Sequence, residues 1–400
     1  MYSFSLNQIS NKKFINLGRC IILFSVFLIS KASAAELPQL SRNSIVSVIT
    51  CSPTSAYEGA FGHSAIRIQD DSLKIDVIFN YGMYNSDQSF FLYRVLLGKL
   101  TSSLEGEAFY KFAERYRAEG RGVREFYLNL TQPERQRLWI ALNNEIQSNN
   151  RFYSFNVTVN NCTTHVRDVL FEQLKLNAPF YKSSYPGYTF RDFELQSPMQ
   201  NCWFHLLFNL IVGANADAKC SVYQSAFSPD GLILLLKAIN ENERALVVAE
   251  HELFPPEQLI KAPDKVISVS IFSILLFFCV ILLYIQYRKN RSFVWFDRIL
   301  FLLSGFIGLF FLSLMLFSEI PVLKINYNIM WALPTNIVLA FLIKKKNTGK
   351  WAVGWARVTF GCTVSFLLFS FFFGQYIPAE AYLLALALLV RLYVYTLKLK

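Results

Sequence analysis

The architecture of this chain is decided by the segment Val266–Tyr287, which reads VISVSIFSILLFFCVILLYIQY and contains no charged residue. A helix needs about 20 predominantly apolar residues to cross a bilayer, so this segment predicts a transmembrane helix. From Ser44 to about Asp264, by contrast, charges are distributed throughout and no apolar run is long enough to span a membrane. We therefore predict a globular domain over residues 36–264 and a membrane domain over residues 265–400.

Further apolar segments follow Val266–Tyr287, and together they predict a bundle of about five transmembrane helices. The additional segments are Ile299–Phe317, Tyr327–Ile343, Val358–Tyr376 and Ala379–Tyr395. The third segment in this bundle, Tyr327–Ile343, is the least regular because Asn328, Pro334 and Asn336 interrupt it.

The first 35 residues have the pattern of a secretory signal peptide. Lys12, Lys13 and Arg19 precede an apolar run over residues 20–29, and Ala32-Ser33-Ala34 supplies the small residues of a cleavage site. An uncleaved anchor is the alternative. Cleavage would place residues 36–264 in the periplasm, outside the inner membrane, where disulfides are permitted.

The basic residues agree with this topology. The formal charge is +11, and Lys and Arg are concentrated at residues 288–298, at residues 344–357 and in the tail that includes Arg391. All three regions are predicted to be cytoplasmic, as the positive-inside rule requires. The charge therefore indicates membrane orientation, and we expect no nucleic-acid partner.

The globular domain is predicted to be of the α+β class. Short β-branched runs predict strands at Ser44–Thr50, Ser64–Ile68 and Ile75–Phe79, and helices follow. The sequence Asn161-Cys162-Thr163-Thr164 opens one of these helices, with Asn161 as its N-cap. A thiolate is stabilised at a helix N-terminus, so Cys162 is a candidate nucleophile. The alternative is a small buried residue or half of a disulfide.

The sequence alone leaves the disulfide pairing and the roles of the histidines open. Cys202 and Cys220 are the expected disulfide, with Cys51 as another possible partner for either. His63 follows a glycine at the start of a predicted strand and is a candidate general base or acid, with a structural histidine as the alternative. His165, three residues after Cys162, is a candidate for orienting a neighbour or for half of a metal site. The sequence contains no phosphate loop and no complete zinc motif, so we expect neither a cofactor nor a metal.

Several short motifs occur in the same order as in one known protein family. They are Phe61-Gly62-His63-Ser64-Ala65, Phe79-Asn80-Tyr81-Gly82, Asn161-Cys162-Thr163-Thr164 and the membrane segment from Asn326 to Pro334. In this order they are similar to the Lnb family of bacterial lipoprotein N-acyltransferases. The resemblance implies a papain-like or NlpC/P60-like periplasmic domain in which Cys162 is the nucleophile and His63 is its partner.

The same resemblance implies supporting roles and substrates. Asn80 or Tyr81 would orient His63, while Asn161 caps the helix and the N–H groups of Cys162 and Thr163 stabilise an oxyanion. A membrane phospholipid would donate the acyl chain, and a diacylated lipoprotein would accept it. A cysteine endopeptidase acting on cell-wall peptides and a binding protein with an inert Cys162 are the competing interpretations. The number of membrane spans argues against the peptidase.

Aromatic residues could also contact lipid. Tyr57, Phe90, Phe91, Tyr93 and the segment Tyr116–Arg124 are candidates, with core packing and a solvated basic face as the alternative.

Overall fold

The structure is a computed structural model. It describes residues 37–54, 59–85, 87–182, 187–195, 202–241, 244–257, 266–344 and 348–396. The predicted signal peptide, residues 1–35, and Tyr57 lie outside the described residues.

A seven-stranded antiparallel sheet forms the centre of the globular domain. Its strands are β1 (Ile45–Cys51), β2 (His63–Asp70), β3 (Ile75–Met83), β4 (Leu100–Ala108), β5 (Val123–Leu128), β6 (Phe152–Phe155) and β9 (Val247–Phe254), and β7 (Asn240–Glu241) and β8 (Arg244–Ala245) form a separate pair. The order across the sheet is β6-β4-β3-β2-β1-β5-β9. The three strands predicted from sequence coincide with β1, β2 and β3, which lie next to one another near the middle of the sheet.

The described helices of this domain connect and cover the strands. They are α1 (Phe91–Leu97), α2 (Phe109–Ala118), α3 (Gln132–Gln147), α4 (Cys162–Leu174), α5 (Ala178–Lys182), α6 (Phe190–Leu195), α7 (Cys202–Ile211), α8 (Val222–Ser225) and α9 (Pro229–Ala238). The start of α3 follows from its sequence, since Thr131 and Glu134 form a capping box with a proline in the first turn.

The two faces of the sheet are covered by different helices. On one face, Phe112 and Tyr116 of α2 pack against Ile49, Ala65 and Ile78. On the other face, Trp139 of α3 makes an edge-on ring contact with Phe79, and α4 packs against β2 and β3. The alternation of side chains along each strand therefore decides which helix a residue meets.

The membrane domain contains four helices of spanning length among the described residues, so the prediction of five was wrong in number. These helices are α10 (Val266–Lys289), α11 (Val294–Phe317), α13 (Lys350–Phe369, extended by a 3-10 turn to Phe372) and α14 (Ala379–Thr396). The third apolar segment forms only a 3-10 turn, Tyr327–Met330, and the seven-residue α12 (Asn336–Leu342). Pro334 lacks a backbone N–H and separates the two pieces.

The broken third segment still runs the length of α11. The C-terminal end of this segment lies at the N-terminal end of α11, because the Arg298 guanidinium donates to the Ile343 carbonyl (3.0 Å). Its irregular backbone lies against Gly305 and Gly308 of α11, and a Cβ at Gly308 would overlap the Ala332 carbonyl. Non-helical backbone at membrane depth is tolerated only where protein encloses it, and these glycines permit that enclosure.

Arg391 is not the orienting surface charge that the sequence suggested. It is fully buried and forms an ion pair with Asp297 (2.6 Å), which is also fully buried. Arg391 donates two hydrogen bonds to Asp297, and the Tyr395 hydroxyl donates a third. Charges inside a membrane bundle are costly unless they are paired, and this pair joins α11 to α14.

The globular domain is bonded directly to the end of α11. Ser318 donates to the Leu96 carbonyl (2.7 Å), and the Glu319 N–H donates to the Leu97 carbonyl (2.9 Å). The Asn156 side chain donates to the Glu319 carbonyl (3.1 Å). The loop that precedes Cys162 is therefore attached to the membrane domain.

Candidate active site

Asn161 fixes the start of the helix that carries Cys162. Its side-chain oxygen accepts from the N–H groups of Thr163 and Thr164, both at 2.9 Å, and the Thr164 hydroxyl accepts from the Asn161 N–H. The side-chain amide of Asn161 donates to the carbonyls of Val157 (2.6 Å) and Phe227 (2.8 Å). Since both the oxygen and the nitrogen of the Asn161 side-chain amide are bonded, the position of the adjacent Cys162 is tightly determined.

Cys162 lies where β2 and β3 separate. Their pairing ends at Ile66 and Phe79, short of the His63 end of β2. On the β3 side, a Cβ at Gly82 would lie 3.3 Å from the Cys162 Cβ, and the φ of Gly82 is +85°. Both the close approach and the left-handed backbone favour glycine at this position.

His63 is held by Asn80 and by an aromatic ring. Its Nε2–H donates to the Asn80 side-chain oxygen, which leaves Nδ1 for the thiol. The imidazole also stacks on Tyr116, with ring centroids 6.0 Å apart. Asn80 in turn donates to Glu107 (3.4 Å), and Glu107 is bound by Arg115 (2.5 Å). The imidazole is thus oriented by a chain of three further polar residues.

The surroundings of Cys162 favour its thiolate. Burial opposes ionisation, but the charge of His63, the hydrogen bond from His63, the Ser64 N–H and the Thr163 hydroxyl outweigh burial and lower the pKa of Cys162 to about 7. Much of the thiol is therefore ionised near neutral pH, and the thiolate is the nucleophilic form.

The two N–H groups expected to stabilise an oxyanion differ in availability. The Thr163 N–H is bonded to Asn161 and is not free for that role. The Cys162 N–H has no acceptor within the described ranges.

Tyr153 is a further candidate donor that the sequence reasoning missed. Its buried hydroxyl donates to no acceptor among the described residues and lies 3.7 Å from the position of a Cβ at Gly82. Burial and the charge of Cys162 raise the pKa of Tyr153, so it stays protonated and can donate. Tyr153 lies on the four-residue strand β6, in a segment without a recognisable motif, so the sequence offers no signal for this role.

Tyr81 does not contact His63, although it is the neighbour of Asn80. Its hydroxyl donates to Glu145 (2.7 Å), and its ring stacks on His165 at 4.8 Å. His165 also contacts the Tyr153 ring, and burial lowers the pKa of His165 to about 4, so it is neutral. Within the described ranges, no cluster of three or more His, Cys, Asp or Glu could hold a metal ion.

The expected disulfide between Cys202 and Cys220 was wrong, since both thiols are free in the described part of the chain. The Cys220 thiol donates to the Tyr188 carbonyl and packs beside Phe227, and burial raises its pKa to about 11. Cys202 begins α7, which packs against α10. Burial also raises the pKa of Cys51, so Cys162 differs from both Cys51 and Cys220.

The segment Tyr116–Arg124 has a largely structural role. Tyr116 is buried beneath His63, and the buried Arg121 donates to the Ser52 carbonyl (2.8 Å). Phe90, in contrast, is 81% exposed beside α1, as a lipid-contacting residue would be.

Comparison with known proteins gives two matches. Residues 33–187 match the family model of the Lnb N-terminal periplasmic domain, and residues 264–400 match that of the Lnb transmembrane domain. No curated protein and no solved structure matches the chain. The first range contains Cys162, His63 and Asn80, and the second contains every helix of spanning length in the described residues. The chain therefore belongs to the Lnb family and is a membrane protein with a periplasmic domain.

Proposed function

We propose that this protein is a lipoprotein N-acyltransferase of the bacterial inner membrane. It would move a fatty acyl chain from a membrane phospholipid, through a thioester on Cys162, to the N-terminal amine of a diacylglyceryl lipoprotein. The observation that carries the proposal is the array of Cys162, His63 and Asn80. The loop that precedes Cys162 is bonded to the end of α11 through Asn156. A cysteine at a helix start, beside a histidine and an asparagine on strands, also supports a papain-like or NlpC/P60-like domain.

In the first half-reaction, the Cys162 thiolate attacks the ester carbonyl of the phospholipid. The Cys162 N–H and the Tyr153 hydroxyl are the donors best placed to stabilise the oxyanion. Protonated His63 gives its proton to the glycerol oxygen as the ester C–O bond breaks. A lysophospholipid leaves, and the acyl group remains on sulfur.

In the second half-reaction, the α-amine of the lipoprotein attacks the thioester. A free α-amine has a pKa near ~8, so a useful fraction is neutral at physiological pH. His63 takes the proton of the attacking nitrogen, and the amide forms as the Cys162 thiolate leaves. The thiolate and the protonated imidazole are then restored, and the cycle requires neither metal nor cofactor.

The attachment to the membrane suits these substrates. Both are confined to the outer leaflet, and confinement raises their effective concentration near a membrane-bound site. Exposed apolar side chains lie on the two helices nearest the bundle, namely Leu92 of α1 and Trp203 and Leu207 of α7. Such side chains suit a surface that rests in the outer leaflet.

The test is mass spectrometry of a reporter lipoprotein in cells that lack other N-acyltransferases. The wild-type chain should add one fatty acyl mass to the N-terminal cysteine, whereas Cys162→Ala and His63→Ala should not. Cys202→Ala is the matched control, since it removes another free thiol from the same domain and should retain activity. A reporter that stays diacylated with a stably expressed wild-type chain refutes the proposal and makes cell-wall peptides the next substrates to test.

A further inference from the structure

A cavity of about 310 Å³ lies beside the candidate active site. This volume is at the lower end of the range of small-molecule binding pockets. Much of its wall is apolar, formed by Pro53, Phe61, Val157, Phe227, Pro229 and Pro256.

Cys162 and His63 do not themselves line the cavity, but residues in its wall are bonded to, or paired with, their immediate surroundings. Val157 and Phe227 in its wall are the two residues whose carbonyls hold the side chain of Asn161, immediately before Cys162. Cys51, also in the wall, is the cross-strand neighbour of His63. A group bonded to the Cys162 sulfur thus has a partly open, largely apolar space nearby.

The same wall continues into the membrane domain. The Phe61 ring contacts Phe208 of α7 at 6.2 Å between centroids. Phe208 and Val157 both pack against the apolar core of the membrane bundle. Apolar side chains are therefore in contact from the cavity wall to the core of the membrane bundle.

The charged residues that line the cavity are Arg124, Asp230 and Glu252, and each is exposed or only half-buried. Arg124 and Asp230 form an ion pair (3.0 Å) and are 41% and 60% exposed in their side chains. Exposed pairs of this kind remain solvated and do not require a charged ligand. An extended peptide would need backbone hydrogen-bond partners that the proline-rich wall does not offer, whereas a hydrocarbon chain needs none.

We propose that this cavity binds the hydrocarbon tail of the acyl group carried by Cys162 and limits the length of chain that the enzyme transfers. The inference rests on the proposed function and adds the acyl-binding site to it. Val157 is the residue best placed to set the limit, because it touches both Asn161 and the bundle core.

The first experiment detects binding without turnover. Full-length Cys162→Ala protein is placed in phosphatidylethanolamine vesicles that contain a phospholipid with a diazirine near the end of one acyl chain. After illumination, peptide mass spectrometry locates the crosslinks, which should fall in residues 50–53 and 227–229. Val157→Phe, added to the same chain, should reduce their yield about tenfold or more, since one methylene in an apolar pocket changes binding by about tenfold or more. Val159→Phe is the control, because Val159 is in the same loop but is 50% exposed.

The second experiment measures chain length with the active protein. Val157→Phe should shift the acyl group found on the reporter lipoprotein toward shorter chains, and Phe61→Ala should shift it toward longer ones. Thermal unfolding of each variant establishes that it is folded. The opposite directions expected for the two variants separate a change in the cavity from a general loss of activity.

The outcomes distinguish the two proposals. Crosslinks in the cavity without N-acylation of the reporter support the lipid site and refute the proposed function. N-acylation with crosslinks only on the helices of the membrane domain, or with a chain-length distribution that neither variant changes, overturns the cavity inference and leaves the function standing.

Discussion

Replacing His63 by alanine should raise the pKa of the Cys162 thiol. The factors that lower this pKa are chiefly the charge of His63 and its hydrogen bond, whereas burial acts in the opposite direction and remains in the variant. Loss of His63 therefore leaves a buried thiol with weaker stabilisation of its charged form.

The magnitude follows from the thiolate fraction. With a pKa of about 7, about half of Cys162 is ionised at pH 7. A thiol with the ordinary pKa of ~8.5 is only ~3% ionised at that pH. Because burial places the His63→Ala thiol above the ordinary value, the fraction of Cys162 present as thiolate at pH 7 should fall by at least ~15-fold, and its alkylation at that pH should slow.

The assay follows alkylation of the Cys162 peptide by iodoacetamide, using full-length protein in detergent between about pH 5 and pH 10. Mass spectrometry of that peptide excludes signals from the other cysteines. The wild-type rate should rise with pH through about 7 as the thiolate forms. His251→Ala, which alters an exposed strand residue, should keep the same inflection. An equal inflection in wild type and His63→Ala would refute the reasoning.

Three further predictions follow from the contacts of single residues. Asn80→Ala should slow N-acylation about 10- to 100-fold because it releases the His63 ring, while Tyr81→Phe should leave the rate unchanged. Time courses of reporter acylation compare the two variants, and equal rates would exclude an orienting role for Asn80. Gly308→Ala should destabilise the protein by about 1–3 kcal/mol or more through overlap with the Ala332 carbonyl, whereas Gly361→Ala, in helix α13, meets no atom within 4 Å and should not destabilise it. Thermal unfolding in detergent measures both, and a stable Gly308→Ala protein would contradict the close approach. Arg391→Leu should cost about 3–5 kcal/mol because Asp297 is left buried and unpaired, and the double variant with Asp297→Leu should recover most of that loss in the same assay.

Features set by neighbours along the chain could be predicted from the sequence. The Thr131–Glu134 capping box and the Asn161 cap depend on residues at most three positions apart, so both were visible. The apolar segment at Val266 was visible for the same reason. The choice between Asn80 and Tyr81 was not, since adjacent strand residues point to opposite faces and the sequence does not show which face carries His63.

Features set by distant residues could not be predicted. The spacing of Cys202 and Cys220 says nothing about the orientation of their side chains, and the proposed disulfide was wrong. The burial of Arg391 depends on Asp297, which lies 94 residues away. The break in the third apolar segment was anticipated as irregularity, but its support by Gly308 required the packing of α11.

The hydrogen bond from Asn156 to Glu319 links the loop before the nucleophile to the membrane domain. Only four residues, 157–160, separate that bond from the Asn161 cap, so we expect a tilt of α11 to displace Cys162. A periplasmic fragment ending before Val266 keeps Cys162, His63 and Asn80 but loses this anchor. Bilayer thickness and detergent choice should accordingly alter the rate of the proposed acyl transfer.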